Sequence, residues 1–266
     1  MSDLRVIRSY GHNGAFNMAE DEALFRAAIE RGSTEIILRV YDWHPACLSL
    51  GYFQSIERRT DLDACARHGY DVIRRPTGGR AVLHDRELTY CVVAQSDGLG
   101  GTTLDSYLEL SKALNAGLNI LGVPSEIAPA KKAKHIGSPA CFDSLSSYEI
   151  AVHGKKIVGS AQYRSNGYLL QHGSILLDVD AVRLFDCLLP KASEEEIVAF
   201  SEYTTSVNNE LSTPVDAYHT GEAIIAGFEA TFKRITRICE LDTHESELRD
   251  TLLKDKYTTK EWNYLK

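Results

Sequence analysis

Ile157-Val-Gly-Ser-Ala-Gln-Tyr163 and Leu169-Leu-Gln-His-Gly-Ser-Ile-Leu-Leu177 are β-rich runs joined by Ser165-Asn166-Gly167. An Asn-Gly step between such runs is the strongest short-range hairpin signal, because the tight turn that matches strand twist needs positive φ at both central residues. Just upstream, residues 148–152 form another β-rich run that turns at His153-Gly154. The stretch 147–178 therefore reads as an antiparallel meander.

Working outward, residues 35–43, 47–52 and 70–75 are short and β-rich, with a helix-like stretch near 59–68 between the last two. Residues 81–84 and 88–94 read as a strand pair around the acidic turn Asp85-Arg-Glu87. Residues 15–31 and 104–121 carry helical spacing and end at Gly32 and Gly122, the usual stop signal. Beyond Asp180 everything looks helical: Thr213-Pro214 offers a cap followed by proline, and Ile224, Phe228, Phe232 and Ile235 share one apolar face. Strands with helices around and after them predict an α+β (mixed α/β) fold, read as one catalytic domain over 1–266 with a helical part from about 181.

Bulk properties exclude several classes. The hydrophobic share of 44% and charged share of 25% are those of a soluble globular chain. No apolar run approaches the roughly 20 residues that span a bilayer, and the N-terminus has no signal-peptide core, so a cytoplasmic protein without membrane attachment is expected. A net charge of −8 argues against a nucleic-acid partner. None of the six cysteines lies in a CxxC pair, so no metal is expected. Five of them sit in apolar surroundings and read as small buried hydrophobes.

Four stretches could carry chemistry. In Arg74-Arg75-Pro-Thr-Gly78-Gly79-Arg80-Ala-Val-Leu-His84-Asp85, arginines lead into a glycine loop whose N–H groups suit a phosphate or a carbonyl oxygen; a plain turn with solvated arginines is about equally consistent. No Gly-Lys-Ser/Thr follows, so it is not a nucleotide-hydrolase phosphate loop. Cys141, in Gly137-Ser-Pro-Ala-Cys141-Phe-Asp143, differs from the other five: it follows Lys131, Lys132, Lys134 and His135, and positive surroundings favour the thiolate. In Gly154-Lys-Lys156-Ile-Val-Gly159-Ser160-Ala-Gln162, strand alternation puts Lys156 on one face with Val158, Ser160 and Gln162, a mostly polar face able to line a site, while Gly159 leaves room for a ligand. His172 and, from its surroundings alone, His84 read as hydrogen-bonded structural residues.

Together these segments resemble the lipoate–protein ligase and octanoyltransferase family. Its fold is the biotin/lipoate ligase catalytic domain, related to that of class II aminoacyl-tRNA synthetases. The resemblance rests on residues 74–85, Leu88-Thr-Tyr90, Ala140-Cys-Phe-Asp143, residues 156–162 and 170–178, with Ala15-Phe-Asn-Met-Ala19 and Glu261-Trp-Asn-Tyr264 at the ends. Cys141 occupies the nucleophile position of the cysteine-dependent octanoyltransferase branch. Arg80 stands where ATP-dependent ligases usually carry a third glycine, and the chain is too short for their extra C-terminal domain.

The resemblance implies an enzyme, without cofactor, that takes octanoyl from octanoyl-acyl carrier protein to a lysine of a lipoyl domain such as the glycine-cleavage H protein; a monomer is the default expectation. It implies Cys141 and Lys156 as catalytic residues. Arg75, Gly78, Gly79, Arg80, His84, Gly159 and Ser160 would bind the acyl group. Competing readings are an ATP-dependent lipoate ligase, a carrier-to-carrier amidotransferase and a non-catalytic acyl-carrier-binding protein. Both protein partners are usually acidic, so docking calls for a local basic patch, with Lys131, Lys132, Lys134, Arg74 and Arg80 as its expected members.

Overall fold

The computed structural model describes residues 3–128 and 148–265. The chain opens with β1 (Leu4–His12), α1 (Gly14–Arg31), β2 (Ile36–Trp43) and β3 (Cys47–Leu50). Short helices α2 (Ile56–Arg59) and α3 (Leu62–His68) lead to β4 (Asp71–Arg74) and β5 (Val82–His84), followed by β6 (Glu87–Gln95) and α4 (Thr103–Leu121). Then come β7 (Glu126–Ile127), β8 (Ile150–Val152), β9 (Lys155–Lys156), β10 (Val158–Ser165) and β11 (Tyr168–Leu176). The remainder is α5 (Ala181–Asp186), α6 (Glu194–Tyr203), α7 (Val207–Glu210), α8 (Ala217–Phe232), β12 (Thr236–Ile238), α9 (Thr243–Leu252) and α10 (Lys260–Asn263).

Six strands form the main sheet in the order β10-β11-β6-β2-β1-β12. The predicted hairpin is its β10–β11 edge, and Asn166 and Gly167 both take positive φ as that turn demands. One face packs against α4 and α8 through Val40, Tyr90, Val92, Leu114, Ile224 and Phe228. The other packs against α1 through Ile7, Met18, Leu24, Ile37, Cys91 and Leu170. Both long helices stop where predicted, with Gly32 and Gly122 in the left-handed region returning N–H groups to the last carbonyls. Among the described residues, no helix is long and apolar enough to cross a membrane.

Three expectations need correction. Residues 81–84 and 88–94 do not pair with each other: β5 joins β3 in a small β4-β3-β5 sheet, whereas β6 lies between β2 and β11 in the main one. The acidic turn is thus a passage between two sheets, a non-local outcome that turn chemistry does not determine. The meander also breaks. Lys156 ends β9, which pairs with β8, and β10 starts only after Ile157. Finally, the region after Asp180 is not wholly helical, because β12 adds a parallel edge strand to β1.

Candidate active site

On the α1 side of the main sheet, register sets three successive rows. Tyr41, Thr89, Ser174 and Gly159 form the first; Arg39, Cys91, His172 and Ala161 the second; Ile37, Val93, Leu170 and Tyr163 the third. The first row, with His172 and Ala161 of the second, floors a cavity of about 380 Å³, the open solvent at its mouth included. Met18 from α1, Trp43, Val82, and Ser49, Arg75 and His84 from the small sheet and its loop complete the wall. The face of β10 that lines it is therefore that of Gly159 and Ala161, not the polar face singled out in the sequence. Ser160 also borders the cavity, but its hydroxyl is engaged with Tyr90 at 2.7 Å. Gly173 makes this tight arrangement possible, since a Cβ there would lie 2.6 Å from the Gly159 carbonyl oxygen and 2.7 Å from the Tyr90 ring.

The polar groups around this cavity are satisfied in chains. His84 stacks on Trp43 with centroids 4.0 Å apart. Its Nδ1 lies 3.0 Å from Glu87 and its Nε2 2.8 Å from the Ser49 hydroxyl. The Ser49 hydroxyl oxygen already accepts from Arg75, so Ser49 donates to Nε2 and Nδ1 carries the proton toward Glu87. Glu87 also accepts from the hydroxyls of Thr89 and Ser174, and Thr89 accepts from the Trp43 indole at 2.8 Å. Burial lowers the His84 pKa despite the attraction of Glu87.

A second network crosses from α1. Arg39, fully buried, reaches Glu20 at 2.8 Å and Asp21 at 2.7 Å. Asp21 further accepts from the Tyr41 hydroxyl at 2.8 Å and lies 3.0 Å from His172 Nδ1, and His172 Nε2 lies 2.7 Å from the Thr77 hydroxyl. Burial alone would push the Asp21 carboxyl up, but the Arg39 charge and the bonds from His172 and Tyr41 hold it below the ordinary carboxylate range.

The glycine loop is pinned from inside. Arg75 Nη1 donates to the Ser49 carbonyl and hydroxyl, both at 3.0 Å, and Nη2 to the carbonyls of Gly78 (3.0 Å) and Arg80 (2.6 Å). Gly79 takes φ +96°, and its carbonyl sits so close to Gly51 that a Cβ there would come within 2.1 Å. Beyond the start of β10, Lys156 is buried and its ammonium contacts Glu149 at 2.6 Å.

Comparison with known proteins agrees with this geometry. Residues 13–229 match the model of the lipoyl protein ligase A/B catalytic domain. The chain belongs to this family. The octanoyltransferase LipM of Carboxydothermus hydrogenoformans is 42% identical over 98% of both chains. That of Bacillus subtilis is 36% identical over 98% of this chain and 97% of the relative. A crystal structure of lipoate-protein ligase A bound with ATP superposes with a TM-score of 0.80 at 27% identity, covering 99% of this chain and 98% of that one. A bipartite lipoate protein ligase of Thermoplasma acidophilum, studied with its E2 lipoyl domain, gives 0.81 at 26%, covering 99% and 97%. The fold is that of the lipoate ligase catalytic domain.

Within this family frame, the structure brings Arg75, His84, Gly159 and Ser160 to one cavity, whereas Gly78, whose carbonyl accepts from Arg75, lines a neighbouring groove. Cys141 lies outside the described residues, as do Lys131, Lys132, Lys134 and His135. Arg74 is not part of a basic patch. It is fully buried and donates to main-chain carbonyls of Gly51, Tyr52, Gln54, Trp262 and Asn263, tying the loop to α10. Arg80 is half-buried. Among the described residues, Cys47, Cys65, Cys91 and Cys187 are buried as expected, while Cys239 is half-buried and accepts from Arg5 at 3.2 Å.

Asp21, Glu87, Ser49 and Trp43 went unrecognised in the sequence. A usable signal was present in Ile36-Ile-Leu-Arg39-Val-Tyr41: an arginine inside so apolar a run must be buried, and a buried arginine demands carboxylates.

These networks predict how stability depends on pH. His84 and Asp21 both have lowered pKa values in the fold, so each contributes stability above its ordinary pKa and loses it as pH falls toward the folded value. Melting temperature should fall first below about pH 6.5 and again below about pH 4. The first decline should be weaker in His84→Asn, which takes up no proton there. An unchanged slope in that variant would remove His84 from the account.

Proposed function

We propose that this chain, an octanoyltransferase of lipoate biosynthesis by its family, carries octanoyl as a thioester on Cys141 between two protein partners. The donor is octanoyl-acyl carrier protein. The acceptor is a lysine of a lipoyl domain such as the glycine-cleavage H protein. The Cys141 thiolate attacks the donor thioester carbonyl, forming the enzyme thioester and expelling the carrier thiolate. The acceptor amine then attacks that carbonyl, the amide forms, and the thiolate leaves Cys141 again with the amine proton passing to solvent or base. Lys156, whose side chain is held at Glu149, stabilises the oxyanion in both steps. Arg75, Gly78, Gly79, Arg80, His84, Gly159 and Ser160 shape the acyl site. The enzyme works as a cytoplasmic monomer.

The observation that carries this reading is the cavity between the small sheet and the Gly159–Ala161 face, lined by Met18, Trp43 and Val82. Burying an eight-carbon chain there is worth several kcal/mol at about 0.8 kcal/mol per methylene. The test is octanoyl transfer to a lipoyl domain without ATP. Wild type should transfer, and Cys141→Ala should lose at least about 10³-fold in rate, as removal of a covalent nucleophile does. Transfer that demands ATP and survives in Cys141→Ala would make the chain an ATP-dependent ligase instead.

A further inference from the structure

Glu261-Trp262-Asn263-Tyr264 takes no part in the proposed chemistry, yet two of its side chains complete the edge of the small sheet. In the order β4-β3-β5, β4 is an edge strand. On its open side the Arg74 N–H donates to Asn263 Oδ1 at 2.9 Å, and the Arg74 carbonyl accepts from the Trp262 indole at 2.9 Å. Buried backbone groups need such partners, which a neighbouring strand would otherwise supply. The Arg74 guanidinium adds bonds from the other direction. Nε donates to the Trp262 carbonyl at 3.1 Å and Nη2 to the Asn263 carbonyl at 3.0 Å. The Asn263 amide is itself fixed, donating to the carbonyls of Tyr257 and Thr259.

The same segment is anchored to α1. Lys256 reaches Glu22 at 2.6 Å and lies 3.7 Å over the Trp262 ring, and the Tyr257 hydroxyl donates to Glu22 at 2.5 Å. Residues 256–263 thus form an arm that bridges α1 and the end of β4. Both ends of the bridge adjoin walls of the cavity. Met18, one turn before Glu22, lines it from α1. Arg75 follows Arg74, turns to the opposite side and lines it from the small sheet. Through its bonds to the Gly78 and Arg80 carbonyls, Arg75 carries the glycine loop with it.

We propose that Trp262 and Asn263 are positioning residues for acyl binding. They hold Arg75 and the glycine loop at a fixed distance from α1, and so keep the cavity in the shape that receives the acyl chain. They touch neither the chain nor the reacting thioester. The inference rests on the proposed acyl-transfer function. Loss of the arm's bonds should therefore weaken donor binding and spare the chemical step, which raises KM at constant kcat.

The experiment measures kcat and KM for octanoyl-acyl carrier protein separately in wild type, Asn263→Ala, Trp262→Phe and Arg31→Ala. Asn263→Ala should raise KM about tenfold, the scale of one or two net hydrogen bonds, with kcat within about threefold of wild type. Trp262→Phe keeps a ring beneath Lys256 but has no N–H for Arg74, and should raise KM at least about threefold. Arg31→Ala removes the pair with Asp242 between α1 and α9 and leaves every partner of Arg74 in place, so its KM should stay at the wild-type value. A KM within about twofold of wild type in both arm variants would overturn the proposal. So would a loss carried mainly by kcat, or an equal rise of KM in Arg31→Ala, which would reduce the arm to a general stabiliser. Should Asn263→Ala fail to fold, Trp262→Phe decides alone by the same limits. Failure of wild type to transfer octanoyl at all would instead overturn the function beneath the inference.

Discussion

Arg39→Leu is expected to destabilise the protein by about 3–5 kcal/mol, the usual cost of removing one partner from a buried ion pair. Arg39 is 0% exposed and its guanidinium faces Glu20 and Asp21, which are themselves buried. Leucine restores the volume but leaves two carboxylates without their counter-charge. Asp21 then loses the partner that holds its pKa down, takes up a proton, and becomes a poorer acceptor for His172. The damage therefore reaches the acyl cavity as well as the core. Chemical denaturation gives the number, and adding Asp21→Asn to Arg39→Leu should recover part of it, because one uncompensated charge is gone. A loss below about 1 kcal/mol in the single variant would mean that the pair is not desolvated as described.

Lys156→Met should have two separable effects. Glu149 is left buried without its cation, which again costs about 3–5 kcal/mol. Octanoyl transfer should also fall by about 10²–10³-fold through loss of oxyanion stabilisation. The double variant Lys156→Met/Glu149→Gln distinguishes the two. Neutralising the glutamate should return most of the stability and none of the rate. If rate returns with stability, Lys156 is a structural residue only, and the proposed mechanism loses its electrostatic element.

What the sequence revealed, and what it hid, follows the range of the interactions involved. The β10–β11 hairpin was legible because Asn166-Gly167 specifies its turn locally. The same holds for α1 and α4, whose stops depend on a single glycine each. The partners of β5 and β6 were not legible, because adjacent strands joined by two residues enter different sheets only when the whole fold competes for their edges. The face of β10 was misjudged for the same reason. Alternation is visible in the sequence, but which face meets α1 is set by register with β11 and β6. Polarity misled there, since Ser160 and Gln162 spend their hydrogen bonds on Tyr90, Ser106 and Gln171 rather than on a ligand. Charge misled too. Arg74 reads as solvated yet serves as an internal clamp on five carbonyls, and Asp21 sits on a helix that is buried nearly all round. Long charged side chains are seldom fully buried, so the exceptions are the ones that local pattern cannot foretell.

The acyl-enzyme itself offers the most direct test. Purified protein is mixed with octanoyl-acyl carrier protein in the absence of ATP, and its intact mass and peptide map are recorded before and after neutral hydroxylamine. A gain of one octanoyl group, confined to the peptide that contains Cys141 and released by hydroxylamine, is the expected result. Transfer to the lipoyl domain without any such adduct, or an adduct that persists in Cys141→Ser, would contradict it.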